Sequence, residues 1–258
     1  MSSKVAIVTG ASQGIGRATA IRLARDFDSI VLVARNRANL EQTALDVKEA
    51  GANPLVIDVD LAEPEAAQQV IDQALAAFGR IDALLNIAGA VPQIDVLEMT
   101  DEQWDRGLAL KLHGARRLTI AAWPSLKQSS GSVVLMSGNS ALFPKAPYAA
   151  VGTINAAIVA LAKAFSDRGI TDGVQVNSVL PGAVMTGRRR SYLEHWAPLH
   201  NMTVEEATAQ FPGEAGIARY GTPEEIAELM AFVVSPVARW MTGSTLRMDG
   251  GELTSSPG

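Results

Sequence analysis

The chain has 258 residues, 48% of them hydrophobic and 19% charged, enough to bury one large core or two modest ones. A net charge of −5 gives a nucleic-acid partner no electrostatic support, and the absence of cysteine excludes disulfides and thiolate metal sites. The opening "MSSKVAIVTG" shows no signal-peptide cleavage region. "NAAIVALAKAF" is broken by Lys163, so the expectation is a cytoplasmic protein with no membrane partner.

Short β-branched runs then alternate with segments of helical period. The first predicted strand, "VAIVTG" (5–10), runs into "TGASQGIG" (9–16), which opens a helix over 15–27. Gly10 permits a sharp turn, and Gly14 and Gly16 let backbone approach a pyrophosphate at a helix N-terminus that carries unpaired N–H groups. The second strand, "IVLVAR" (30–35), ends Val33-Ala34-Arg35, where a carboxylate for the adenosine ribose is missing. Arg35 and Arg37 suit a 2′-phosphate, which favours NADP(H) over NAD(H); the alternative is a pair of exposed loop arginines.

Helix 38–50, strand "PLVIDVD" (54–60), helix 63–78 and strand "IDALLNIAG" (81–89) follow. Thr100 and Gln103 fit a capping box for a helix over 101–126, before strand "SVVLMSG" (132–138), helix 151–168 and strand "VQVNSVLPG" (174–182). The stretch 183–221 reads as irregular. With Arg188, Arg189, Arg190, Tyr192, Trp196 and Phe211 it is too long for a plain connection, which suggests a lid over a substrate. Its arginines either clamp an anionic substrate or a cofactor phosphate, or form a solvated face, and its aromatic residues line a pocket or anchor the lid. His195 and His200 lack a third ligand, so no metal is expected. Thr203 with Glu206, and Thr222-Pro223-Glu224-Glu225, mark two further helix starts, the second over 223–234, and "STLRMDGG" is a last strand. Strand–helix alternation from end to end implies an α/β, doubly wound parallel sheet, a Rossmann fold in one domain spanning 1–258.

With these motifs in hand, the sequence resembles the short-chain dehydrogenase/reductase family over almost its whole length. "TGASQGIG" matches the family's phosphate loop, so the resemblance assigns cofactor contacts to Gly10, Ser12, Gln13, Gly14, Ile15 and Gly16. Asp58-Val59 match its adenine-contacting pair, and Asn86, Ala88 and Gly89 of "NIAG" match its Asn-Asn-Ala-Gly motif apart from Ile87. Pro181 and Gly182, followed by Val184 and Thr186, resemble the segment that holds the nicotinamide carboxamide. "RYGTPEEIA" (219–227) and "MTGSTLRMDGG" (241–251) resemble its C-terminal blocks.

The same resemblance implies a catalytic Asn-Ser-Tyr-Lys tetrad, and here the sequence departs from the family. The asparagine stands seven after tryptophan, which is Lys111, and the serine position falls on Gly138. Two registers compete for the tyrosine and lysine. One places them on Tyr148 and Gly152. The other, preferred because the interval from Asn155 to Pro181 then fits without a gap, places them on Val151 and Asn155. Lys111 and Asn155 thus look exchanged, and the Lys111 ammonium is expected to reach the vacated space, with Tyr148 or Ser140 offering a hydroxyl; the alternative leaves Lys111 exposed and Tyr148 packed at a helix start. The resemblance further implies a homotetramer through helices 101–126 and 151–168, whose Ala149, Ala150, Ala156, Ala157 and Ala160 permit close packing. Two functions stay open: an NAD(P)(H)-dependent oxidoreductase acting on a small carbonyl or alcohol with an atypical proton-transfer site, or a catalytically inactive cofactor-binding sensor or partner subunit.

Overall fold

Seven parallel strands form the centre of the computed structural model, which describes residues 3–252. They are β1 (Val5–Thr9), β2 (Ser29–Ala34), β3 (Asn53–Asp58), β4 (Ala83–Asn86), β5 (Ser132–Met136), β6 (Gln175–Pro181) and β7 (Thr245–Met248), in the order β3-β2-β1-β4-β5-β6-β7. The helices are α1 (Gly14–Leu23), α2 (Arg37–Glu49), α3 (Ala66–Phe78), α4 (Asp101–Gly107), α5 (Ala115–Ser129), α6 (Ala149–Asp172), α7 (Gly187–Leu199), α8 (Val204–Glu214) and α9 (Pro223–Val234).

Successive side chains on a strand point to opposite faces, so an apolar run such as β1 feeds two cores. Val5 and Ile7 join Val70 of α3, Leu118 of α5 and Ile158 of α6 on one face. Ala6 and Val8 join Leu23 of α1, Leu40 of α2 and Met230 of α9 on the other. The chain order reverses between β1 and β4, which opens a crevice at the carboxyl ends of those strands.

The expected strands and helices are present, with four corrections. The helix expected over 101–126 is split: a π-helical turn, Leu108–Gly114, separates α4 from α5. Glycine brackets that turn for a packing reason, because a Cβ on Gly107 would lie 3.1 Å from Ile154 Cδ1 and one on Gly114 would lie 2.7 Å from the Leu61 carbonyl oxygen. The stretch 183–221 is not irregular but carries α7 and α8, which share a small apolar centre of Leu193, Ala197 and Ala207. Helix α6 is longer than expected and, by length and composition alone, apolar enough to cross a membrane, yet Ile154, Ile158 and Ala162 are buried against neighbouring elements. Finally, Ala150 is fully buried with Val91 and Ile154, so it cannot contribute to a packing face between chains.

Candidate active site

A cleft of about 880 Å³ lies over the crevice, lined by Gly10, Ser12, Gln13, Gly14, Ile15 and Gly16 on one side. Gly10 and Gly14 both take positive φ, +68° and +55°. A Cβ on Gly16 would fall 2.2 Å from the Gly10 carbonyl oxygen, so only glycine permits this tight approach of α1 to the loop. Gln13 gives α1 no side-chain cap and no acid stands in its first turn. Its N–H groups and partial positive charge therefore face the cleft, a cradle that fits a pyrophosphate. The size of the cleft suits a dinucleotide laid across the switch point.

Other side chains hold the cleft in shape. Thr43 Oγ1 donates to the Ala11 carbonyl (3.0 Å), fixing the glycine loop. Thr9 Oγ1 accepts from the N–H groups of Ile87 (2.9 Å) and Ala88 (3.0 Å), which aims the loop after β4. Ile87, Ala88 and Gly89 line the cleft, whereas Asn86 does not: it is buried and its amide donates to Thr119 Oγ1 (3.1 Å). Thr186 faces Gly14 across the cleft and caps α7 by accepting from Arg189 N–H (3.2 Å). Pro181, Gly182 and Val184, all expected to contact the cofactor, lie outside the lining. Val184 sits instead in a separate depression with Ala183 and Ile226. The bridge to Gly221 uses the Ala183 carbonyl and the Met185 N–H.

At the outer end, Val59 lines the cleft but Asp58 does not; its carboxylate accepts from Arg37 (2.8 Å). Arg37 also donates to Glu41 (2.9 Å), so both of its faces are paired. Arg35 lines the cleft with a looser partner, Asp60 at 3.5 Å, and is the freer cation.

Lys111, Gly138, Ser140, Tyr148, Val151 and Asn155 do not line the cleft but lie beyond Gly89, which does. The π turn brings Lys111 inward, and its side chain lies over Gly89, where an added Cβ would stand 3.0 Å from Lys111 Cδ. Only 9% exposed, Lys111 donates from Nζ to the Ser137 carbonyl (3.3 Å). Burial, and secondly the like charge of Arg188, pushes the ammonium down to about 7. Arg188 donates to the carbonyls of Gly89 (3.2 Å) and Val91 (2.5 Å), tying the start of α7 over the β4 loop. No carboxylate pairs with either cation among the described residues.

Behind Lys111, Asn155 is 3% exposed, and a Cβ on Gly138 would sit 2.7 Å from its Nδ2. Asn155 Nδ2 donates to Ser140 Oγ (2.8 Å), Ser137 Oγ donates to the Asn155 carbonyl (2.7 Å), and Asn155 Oδ1 is buried without a partner. Positions 138 and 155 thus face each other, whereas Gly152 faces away, toward Pro144 and the Ser140 carbonyl. Val151 packs near Val91 and Ile154. Tyr148 stands apart, ending the short 3₁₀ turn before α6, with no hydrogen bond to Lys111, Ser140 or Asn155. Burial and the charge of Glu252 raise its pKa above the ordinary phenol value, against an opposing pull from Arg189, so it is not tuned as a base.

The site includes residues that the sequence did not single out: Leu110 and Met136 line the cleft, and Asn139 donates to Glu252 (3.2 Å). Arg188, expected with its neighbours either to clamp an anion or to form a solvated face, lines the cleft as well. His195 and His200 bond to carbonyls of their own helix, and His200 stacks on Trp196 at 3.7 Å, which anchors the lid rather than a pocket.

The chain is similar to known proteins over nearly its whole length. A sequence profile described as enoyl-(acyl carrier protein) reductase matches residues 10–252. The short-chain reductase protein NovJ of Streptomyces niveus is 31% identical over 96% of this chain and 93% of its own. An L-sorbose reductase from Gluconobacter frateurii, solved with NADPH and L-sorbose, superposes with a TM-score of 0.93 at 30% identity over 99% of this chain and 98% of that one. An NAD⁺-bound xylitol dehydrogenase superposes at 0.89 with 29% identity over 96% and 98%.

Proposed function

The chain belongs to the short-chain dehydrogenase/reductase family of NAD(P)-dependent oxidoreductases, and from that premise we propose that it interconverts a small-molecule carbonyl and its alcohol with NADP(H), using Lys111 to handle the proton. The observation that carries the proposal is the buried Lys111 ammonium, held against Ser137 and directly behind Gly89 of the cleft wall. The glycine cradle and the uncapped α1 fit the cofactor, which when bound supplies a hydride to the carbonyl carbon. A group titrating near 7 both holds and releases a proton at neutral pH, as general acid–base work requires.

In the reducing direction, Lys111 Nζ–H delivers its proton to the carbonyl oxygen and remains as a neutral amine, the form that burial and Arg188 favour. In the oxidising direction, the amine accepts the alcohol proton. Ser140 Oγ already accepts from Asn155 Nδ2, so its own O–H is free to donate to the same oxygen and orient it. The opposition of Gly138 and Asn155 supports reading them as the family's serine and lysine positions, with Val151 at the tyrosine position. Asn155 then acts by positioning Ser140 and not by charge.

NADP(H) is favoured over NAD(H) by Ala34 at the ribose position and by Arg35 at the cleft's outer end. The Gluconobacter relative was solved with NADPH and the xylitol dehydrogenase with NAD⁺, so family membership alone does not choose. The proposal includes a cytoplasmic homotetramer assembled through α4, α5 and α6, where Ile120 and Ile170 leave apolar side chains exposed. The names of the relatives give a non-catalytic sensor no support. Oxidation of NADPH over a panel of ketones and aldehydes tests the reading: turnover is expected, and NADPH binding with no turnover of any member would overturn it.

A further inference from the structure

The three lid arginines diverge. Arg188 closes on the β4 loop, Arg190 is exposed, and Arg189 is half-buried among aromatic rings. The Arg189 guanidinium carbon stands 4.6 Å from the ring centre of Phe211, 5.6 Å from Tyr192 and 6.0 Å from Tyr220. Stacking of this kind covers the faces of a guanidinium and leaves its in-plane N–H groups directed outward. Among the described residues no carboxylate pairs with it and no side-chain hydrogen bond uses its donors. Tyr220 adds a hydroxyl that is buried and has no partner.

This cluster belongs to the site already described. Arg189 is in the first turn of α7, beside Arg188 and capped by Thr186, both of which line the cleft. The charges of Arg189 and Glu252 both reach Tyr148, in opposite senses, so the phenol lies in a region with a cation on one flank and a carboxylate on another. Asn139, next to Ser140, donates to that carboxylate. The surroundings of Tyr148 therefore hold both a free guanidinium and a carboxylate.

We propose that the substrate carries a carboxylate in addition to its carbonyl, and that Arg189, with the Tyr220 hydroxyl as a second donor, binds it. A planar carboxylate matches the guanidinium fork, and the aromatic surround excludes water that would weaken the pair. Glu252 repels the same group, so the anionic end is directed to the lid and the carbonyl end to Lys111 and Ser140. This inference rests on the oxidoreductase reading above.

Binding to the protein loaded with NADP⁺ tests it without requiring turnover. Calorimetric titration would compare 4-formylbenzoate with its methyl ester, and phenylpyruvate with its methyl ester. At least one carboxylate is expected to bind about 10-fold or more tightly than its ester, the range for a charge-assisted hydrogen bond. Arg189→Gln should bring that ratio close to one, Arg189→Lys should keep part of it, and Glu252→Gln should strengthen carboxylate binding. If Arg189→Gln no longer takes up NADP⁺, Arg189→Lys and Glu252→Gln decide. Carboxylates binding no tighter than their esters, or a preference indifferent to these substitutions, would overturn the inference. A carboxylate preference without NADPH oxidation would overturn the oxidoreductase reading alone.

Discussion

The ammonium of Lys111 rests 3.3 Å from the carbonyl oxygen of Ser137, its one hydrogen-bond partner among the described residues. A buried cation so thinly satisfied costs stability, and the sign follows from its lowered pKa. Below pH about 7 the group is charged in both folded and unfolded chains, and the penalty is present in full. Between about 7 and the ordinary 10.5 the unfolded chain binds the proton and the folded chain does not, so stability rises with pH. Lys111→Met should therefore raise unfolding free energy by about 1–4 kcal/mol at pH 6, with the gain shrinking toward pH 10. Denaturant titrations at pH 6, 8 and 10 check this; a variant destabilised equally at all three would show that the lysine is not under strain.

Arg35 and Arg37 should not be equivalent. Arg37 already bonds to Asp58 and Glu41, whereas Arg35 holds Asp60 loosely at 3.5 Å. Arg35→Ala is expected to weaken NADPH binding by about 10- to 100-fold with little effect on NADH, and Arg37→Ala to do less. Fluorescence titration of the two nucleotides reads this directly. A larger effect at Arg37, or tighter NADH binding by the unaltered protein, would reverse the assignment.

Gly152 tests the geometry behind the active-site register. Within a helix, replacing glycine by alanine ordinarily stabilises by about 1 kcal/mol. Here the new Cβ would lie 2.7 Å from Pro144 Cβ and 3.0 Å from the Ser140 carbonyl oxygen. Gly152→Ala should instead destabilise by about 1–3 kcal/mol and lower turnover by displacing Ser140. Thermal melts and initial rates measure both; a raised Tm with normal rates would mean that the Ser140 loop is free to yield.

Much of the architecture was legible because it is written in local patterns. Apolar runs such as "VAIVTG" and "IVLVAR" read as strands covered on both faces, and the capping boxes at Thr100, Thr203 and Thr222 form as their spacing implies. The π turn was not legible, since Gly107 and Gly114 acquire meaning only through Ile154 and Leu61, which are distant in sequence. Helix α7 and the extent of α8 were not legible, since Pro198 and Pro212 stand inside them, although Thr203 with Glu206 does mark the start of α8. The pairing of Asp58 with Arg37, the inward turn of Ala150 and the latch from Arg188 to Gly89 are likewise products of tertiary contact. For the site, Lys111 and Asn155 could be singled out in the sequence, but the burial that lowers the proton affinity of Lys111 could not.

The most direct test of that role is kcat/KM for carbonyl reduction as a function of pH, in the unaltered protein and in Lys111→Ala. Reduction needs the protonated amine, so the unaltered rate should fall as pH rises through the region of 7, and alcohol oxidation should show the opposite trend. Lys111→Ala should lose about 10²- to 10⁴-fold and that pH dependence, while still binding NADPH. Turnover by Lys111→Ala at the unaltered rate, with the same pH profile, would contradict the account.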